Sequence, residues 1–188
     1  MTLDRSVVAA GALALTLALP LPTQAAADPE TKVKEKGGTK VVIDKSKPVR
    51  KAIEAWYALN TAAFEAKDAD AIMALRTDDF HTLTPDGQTN TRADMDARTR
   101  TFLERIEHWI SQEFVIGTIE LDGDLASADV NQRTVRMQRF PDGSTHKVES
   151  AVVQRETWRQ TPEGFKLYRV DNIRDGDLLV DDEPYSGR

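Results

Sequence analysis

Apolar positions recur at helical spacing in the first half of the chain and at strand spacing in the second. From Ile53, the residues Trp56, Tyr57, Asn60 and Phe64 follow at the three- and four-residue steps of one helix face. Pro48 suits the first turn of that helix, where its missing N–H costs nothing, so the pattern predicts a helix over 48–66. Asp68 or Asp70 caps a short second helix over 69–76, with Ile72 and Leu75 inward. Residues 80–84 alternate as a strand that Pro85-Asp86-Gly87 turns. Thr91 then caps a third helix, with Asp94 in the capping-box position and Met95, Phe102, Leu103 and Ile106 on its buried face. Beyond His108 the pattern predicts four strands, over 113–121, 125–140, 145–159 and 165–173. Asp122-Gly123-Asp124, Pro141-Asp142-Gly143-Ser144 and Thr161-Pro162-Glu163-Gly164 mark the turns between them. Strands joined this way form an antiparallel meander, and three preceding helices cover one face of it. The class is α+β: a cone of three N-terminal helices on a strongly curved antiparallel sheet.

One polar residue interrupts the first apolar stripe. Asn60 sits among aromatic and aliphatic neighbours, and burying an unpaired amide costs ~1–3 kcal/mol. It needs a backbone partner, a water or a ligand.

The 188 residues allow one ordinary domain plus extra segments. Residues 6–19 form an apolar run, shorter than the ~20 residues of a membrane span. Pro20 and Pro22 break it, and Ala25-Ala26-Ala27 offers a small-residue cleavage site. Residues 1–27 therefore read as a secretory signal peptide rather than an uncleaved anchor, although Asp4 offsets Arg5 in the leading region. Residues 28–47 read as a flexible charged leader with a short strand at Val41-Val42-Ile43. Residues 48–174 form the domain, and 175–188 a loose acidic tail. The expected location is periplasmic or secreted, with no stable membrane insertion once the signal is removed.

Composition narrows the chemistry. With 25 Lys+Arg against 31 Asp+Glu, a net charge of −6, no basic footprint for nucleic acid exists. There is no cysteine, hence no disulfide or thiolate. The three histidines, His81, His108 and His146, have no metal-ligand spacing, and no nucleotide or flavin motif appears, so neither metal nor cofactor is expected.

The order of elements resembles the nuclear transport factor 2-like superfamily, which includes ketosteroid isomerase and the SnoaL-like polyketide cyclases. The carriers are Asp68-x-Asp70-x-x-x-x-Leu75 into Asp78-Asp79-Phe80, then Pro85-Asp86-Gly87 and the Asp122-Gly123-Asp124 hairpin. Thr157-Trp158 followed by Gly164-Phe165-Lys166-Leu167 completes the set. The resemblance spans residues 48–174 and implies a cystatin-like roll with a pocket inside its cone. It also implies positions for ketosteroid isomerase chemistry, an Asp base and an oxyanion hole of Tyr and protonated Asp. These fall at Thr84, Asn60 and Glu156. Thr84 cannot be a carboxylate base, so steroid isomerisation is not expected.

Strand parity extends the candidate pocket. If Glu156 faces inward, so do Val152, Gln154 and Trp158. On the last strand the same alignment turns Arg169, Asp171 and Ile173 inward, while a one-residue slip would present Tyr168, Val170 and Asn172 instead. The expected catalytic candidates are Glu156, Asp171 and His81, two carboxylates and the commonest general base. The expected pocket adds Tyr57, Asn60, Thr84, Gln154, Trp158 and Arg169. Three functions follow: an exported small-molecule-binding domain, a cofactor-independent acid–base enzyme, or an assembly domain forming a homodimer through its outer sheet face.

Overall fold

The computed structural model describes residues 33–36, 39–42 and 46–185. The signal peptide and half of the expected leader lie outside those residues. Within the leader, β1 (Val33–Lys36) and β2 (Thr39–Val42) pair antiparallel as a two-stranded ribbon of their own. No helix among the described residues is long and apolar enough to cross a membrane.

α1 (Ser46–Glu65) carries Pro48 in its first turn and buries Ile53, Trp56, Tyr57, Asn60 and Ala63. α2 (Ala69–Ala74) starts at Asp68, whose side chain accepts the Ala71 N–H at 2.9 Å. β3 (Arg76–Leu83) turns into β4 (Thr89–Thr91), a short antiparallel partner that hydrophobic alternation alone did not signal. α3 (Arg92–Arg105) opens with the expected capping box between Thr91 and Asp94. The sheet then continues through β5 (Ile106–Ile116), β6 (Glu120–Asp122), β7 (Leu125–Arg139), β8 (Thr145–Thr161), β9 (Gly164–Val180) and β10 (Glu183–Pro184).

The eight strands β3–β10 make one curved, unclosed sheet. Its main order is β4-β3-β9-β8-β7-β5, with β6 added on β7 and β10 on β9. The sheet is mixed rather than wholly antiparallel, because β3 pairs with β9 in parallel. Tight turns impose antiparallel pairing only on the strands they join. β3 and β9 are joined by no turn, so the turn signals carried no information about that pair.

A second correction concerns the C-terminus. The loose tail expected from residue 175 is strand up to Val180, where Leu178, Leu179 and Val180 pair with Ser150, Glu149 and Val148. β8 is 17 residues long. Its first half has backbone groups that need a partner on this side, and β9 supplies them despite its acidic residues.

Register shifts on β8/β9 and β5/β7 bend the sheet around the helices. Two apolar clusters result. One joins Ile53, Trp56 and Tyr57 of α1 to Ala126, Ala128, Val130 and Trp158 of the sheet. The other joins Ala63, Ile72, Phe102, Leu103 and Ile106 around the helix contacts.

Gly117 ends β5 where two backbones touch. Its N–H donates to the Asp129 carbonyl at 2.8 Å, and a Cβ there would sit 2.9 Å from that same oxygen. The Arg50 guanidinium donates to the Gly117 carbonyl at 2.5 Å. Backbone cannot swing aside as a side chain can, so Gly117→Ala should lower unfolding free energy by ~1–3 kcal/mol in urea titration, the usual range for overpacking.

Candidate functional site

A cavity of about 130 Å³ lies where the two clusters meet, between α1, α3 and the concave face of the sheet. For scale, a dry cavity of ~150 Å³ accommodates benzene. Its walls are mostly apolar: Trp56 and Phe64 from α1, Phe80 from β3, Phe102 from α3, Trp109 and Phe114 from β5. The polar groups converge from the sheet.

β7 explains that polarity. Its even-numbered residues face inward, opposite the even-numbered residues of β8. Ala126, Ala128 and Val130 pack beneath α1, whereas Gln132, Thr134, Arg136 and Gln138 continue the same face in polar form. Opposite Ala128, Val130, Gln132 and Thr134 stand Glu156, Gln154, Val152 and Ser150 of β8. The inward parity expected for Gln154 and Glu156 is what the register produces.

Glu156 is the centre of the site, with 1% of its surface exposed. Tyr57 Oη donates to its Oε2 at 2.8 Å. Gln132 Nε2 and Gln154 Nε2 donate to its Oε1 at 2.6 and 2.8 Å. A carboxylate offers about four acceptor positions, so one position, on Oε2, remains unfilled. Burial pushes the Glu156 carboxyl above its ordinary value, while the three hydrogen bonds and the Arg76 charge pull the other way. Burial, followed by the charge of Glu156, raises the Tyr57 phenol well above its usual range.

Three atoms in the cavity wall are buried with no hydrogen-bond partner among the described residues: Asn60 Oδ1, Gln112 Nε2 and Arg76 Nε. The Asn60 anomaly in the helical stripe is therefore a cavity group, with its side-chain oxygen not captured by backbone. Arg76 is partly buried, and desolvation lowers its guanidinium pKa to about 10.

The other expected site residues fall elsewhere. Trp158 faces inward but is sealed in the core, its ring 6.3 Å from Trp56 and 6.2 Å from Tyr57. Thr84 lies past the end of β3, and its hydroxyl serves the Pro85-Asp86-Gly87 turn by donating to the Gln88 carbonyl at 3.0 Å. Thr82, two residues earlier, lines the cavity instead. Arg169 and Asp171 pair with each other, Nε to Oδ2 at 2.8 Å, and do not line the cavity. On β9 the inward residues are Leu167, Val170 and Ile173, every third position. Bulges cause this: Trp158 pairs with Leu167 but Thr157 with Arg169, and Arg155 with Asp171 but Val153 with Arg174. Each bulge inserts one residue into β9 and reverses its parity. Asn172, at φ 46°, lies in the second bulge.

His81 lies on the face of β3 opposite Phe80 and Thr82, with its ring edge-on to Tyr168 at 5.2 Å. The trio Glu156, Asp171 and His81 is therefore not one constellation; Glu156 alone reaches the cavity. Sequence reasoning missed Arg76, Gln112, Gln132 and Thr134. The last two were legible as a polar continuation of the inward parity of β7.

A separate hydrogen-bonded row sits at the β7–β8 turn. His146 lies 2.7 Å from Ser144 Oγ and 2.6 Å from Asp181 Oδ2. The Ser144 hydroxyl, however, donates to Asp142 Oδ1 at 2.5 Å, so the imidazole meets an oxygen whose proton is already committed. Among the described residues no cluster of His, Cys, Asp or Glu could hold a metal ion.

The raised carboxyl makes a pH prediction. An acid whose pKa rises on folding stabilises the native state below its unfolded pKa and loses that contribution as pH climbs through the folded value. Glu156→Gln removes this dependence. Urea unfolding of both proteins across pH should show the Gln variant gaining on wild type from the ordinary glutamate range upward. A constant difference would mean that Glu156 titrates in the fold as it does in water.

By sequence, no family profile and no curated protein matches the chain. By structure, it is similar to a conserved protein from Planctomyces limnophilus, at 17% identity and a TM-score of 0.58 over 71% of this chain and 98% of that one. It is similar to a protein of the NTF2-like family from Streptomyces avermitilis, provisionally named a dehydratase. That match has 15% identity and a TM-score of 0.53 over 66% and 95% of the two chains. It is also similar to the hexachlorocyclohexane dehydrochlorinase LinA-type3 from Novosphingobium barchaimii, at 13% identity and a TM-score of 0.54 over 76% and 94%. The chain has the nuclear transport factor 2-like fold.

Proposed function

We propose that this domain binds a small organic molecule in the cavity and exchanges a proton with it through Glu156. The observation that carries the reading is a fully buried carboxyl with one unfilled acceptor position, on a cavity whose wall holds three unpartnered polar atoms. Unpaired buried polar groups are costly, so a site that retains them is built for something that pairs with them. A buried carboxyl with a perturbed pKa, in a cavity, is a candidate general acid or base. Ionised, Oε2 can accept a proton from a ligand C–H or O–H while the electron pair stays on the ligand; the Tyr57 hydrogen bond holds that oxygen in place. The fold similarities to a named dehydrochlorinase and a provisionally named dehydratase lend support, since both names describe eliminations.

The assembly reading needed a broad apolar outer sheet face. The outward residues of β7 and β8 instead carry ion pairs, Arg133 with Glu149 and Arg155 with Glu120. The pocket is the stronger basis for function.

Native mass spectrometry of the protein purified from its own host should reveal a bound molecule of roughly one-ring size. With that molecule as substrate, Glu156→Gln should lower turnover by ~10²–10⁴-fold while leaving the fold intact. Asn60→Leu should keep or raise stability yet weaken binding; equal binding by this variant and wild type would remove Asn60 from the site.

We also propose export, on the strength of the apolar run at 6–19, the break at Pro20 and Pro22 and the small residues Ala25-Ala26-Ala27. N-terminal sequencing from the host should give a mature start near Asp28 in a non-cytoplasmic fraction. A soluble cytoplasmic chain that starts at Met1 or Thr2 would end this reading.

A further inference from the structure

We propose that the molecule this cavity takes is an anion: a small carboxylate, of one ring or less, whose negative group docks on Arg76. The inference rests on the pocket reading above and adds the charge class of the ligand.

Its first support is a cation in the cavity wall with an unused donor, Arg76, whose charge Glu156 opposes across the cavity without an ion pair. Arg76 and Glu156 are the two charged side chains in the cavity wall, and they do not form an ion pair. Three of the about four acceptor positions of Glu156 are taken by Tyr57, Gln132 and Gln154. Arg76 has no carboxylate within ion-pair distance among the described residues; its Nη1 donates to the Ile72 carbonyl, and its Nε has no partner.

A second cation stands immediately behind the wall. Arg136 is 1% exposed, and no carboxylate pairs with it among the described residues. Its guanidinium donates to Gln138 Oε1 at 2.9 Å, Thr134 Oγ1 at 3.1 Å and Ser150 Oγ at 3.0 Å, all neutral acceptors. It lies 5.1 Å from the Phe102 ring centroid, and both Thr134 and Phe102 line the cavity. Desolvation lowers its pKa to about 10, as it does for Arg76. At Arg76 the Glu156 charge opposes this shift, and the nearby Arg92 charge adds a smaller contribution in its favour.

Buried arginines are normally paired, because an uncompensated buried charge is among the most expensive features a fold can carry. Hydroxyl and amide acceptors satisfy the N–H groups of Arg136 without cancelling its charge. A bound anion would cancel it, and Arg76 offers an open donor for that anion. Gln112 Nε2, also buried and unpartnered on the same cavity, supplies a second donor. Each is a free donor that an oxygen of the ligand can fill. The apolar rings around them suit the rest of a compact ligand.

Titration calorimetry with three probes of nearly identical shape tests the proposal: benzoate, benzamide and benzamidinium, carrying charges −1, 0 and +1. The full chain should bind benzoate about tenfold or more tighter than benzamide, the scale of one charge-assisted hydrogen bond. Arg76→Gln should reduce that preference to within about twofold, and the wild-type ranking decides alone if the variant does not fold. Equal binding of benzoate and benzamide, or tightest binding of benzamidinium, would overturn the anion assignment while leaving the pocket reading standing. No binding of any probe would overturn both.

Discussion

Burying Glu156 obliges the rest of the domain to solve a solvation problem. A carboxyl in the middle of a packed sheet needs donors on every side it presents. The chain answers with one donor from the helix layer, Tyr57, and two from the sheet, Gln132 and Gln154. The Tyr57 bond spans 99 residues of sequence and links α1 to β8. It fixes the rotation of α1, because the same face must seat Trp56 and Tyr57 against Trp158 while Asn60 opens onto the cavity. Packing and polar satisfaction therefore demand the same helix orientation.

The shape of the cavity follows from a gradient along the concave face. Near one end of β7 the inward residues are small and apolar, and α1 lies close upon them. Toward the other end they become Gln132, Thr134, Arg136 and Gln138, whose polar side chains make no apolar seat for a helix. A space between helix and sheet results, lined by polar groups below and aromatic rings above. The bulges of β9 complete it by bringing Leu167, Val170 and Ile173 inward, so that the last strand gives the cavity an apolar side wall. Arg169 and Asp171, turned away, join the ion-paired outer surface.

Charge is distributed by the same layering. Most ion pairs lie on or near the outside, where both partners remain partly in water and each contributes little to stability. Among the described residues, Arg76 and Arg136 are cations turned toward the interior without an ion-paired carboxylate, and Glu156 is an acid turned inward among neutral donors. That asymmetry gives the interior a chemical character distinct from the surface.

The sequence by itself determined the order of the three helices and of β3, β5, β7, β8 and β9, the turns, the capping of α3 and the class of fold, because each depends on local periodicity and on residues a few positions apart. It also marked Asn60, since one polar residue in a helical stripe is visible without a third dimension. It placed Gln154 and Glu156 inward, because an uninterrupted alternation on β8 carries parity along the strand. Only the tertiary structure decided the fates of Arg169, Asp171, Thr84 and His81. Bulges in β9 reset its parity, a turn captured Thr84, and β3 turned His81 to the face opposite Phe80. The parallel joining of β3 to β9 and the continuation of β9 to Val180 were likewise settled by backbone pairing across long sequence separations. Such pairing answers the hydrogen-bonding needs of a distant strand, and those needs leave no mark on the local pattern.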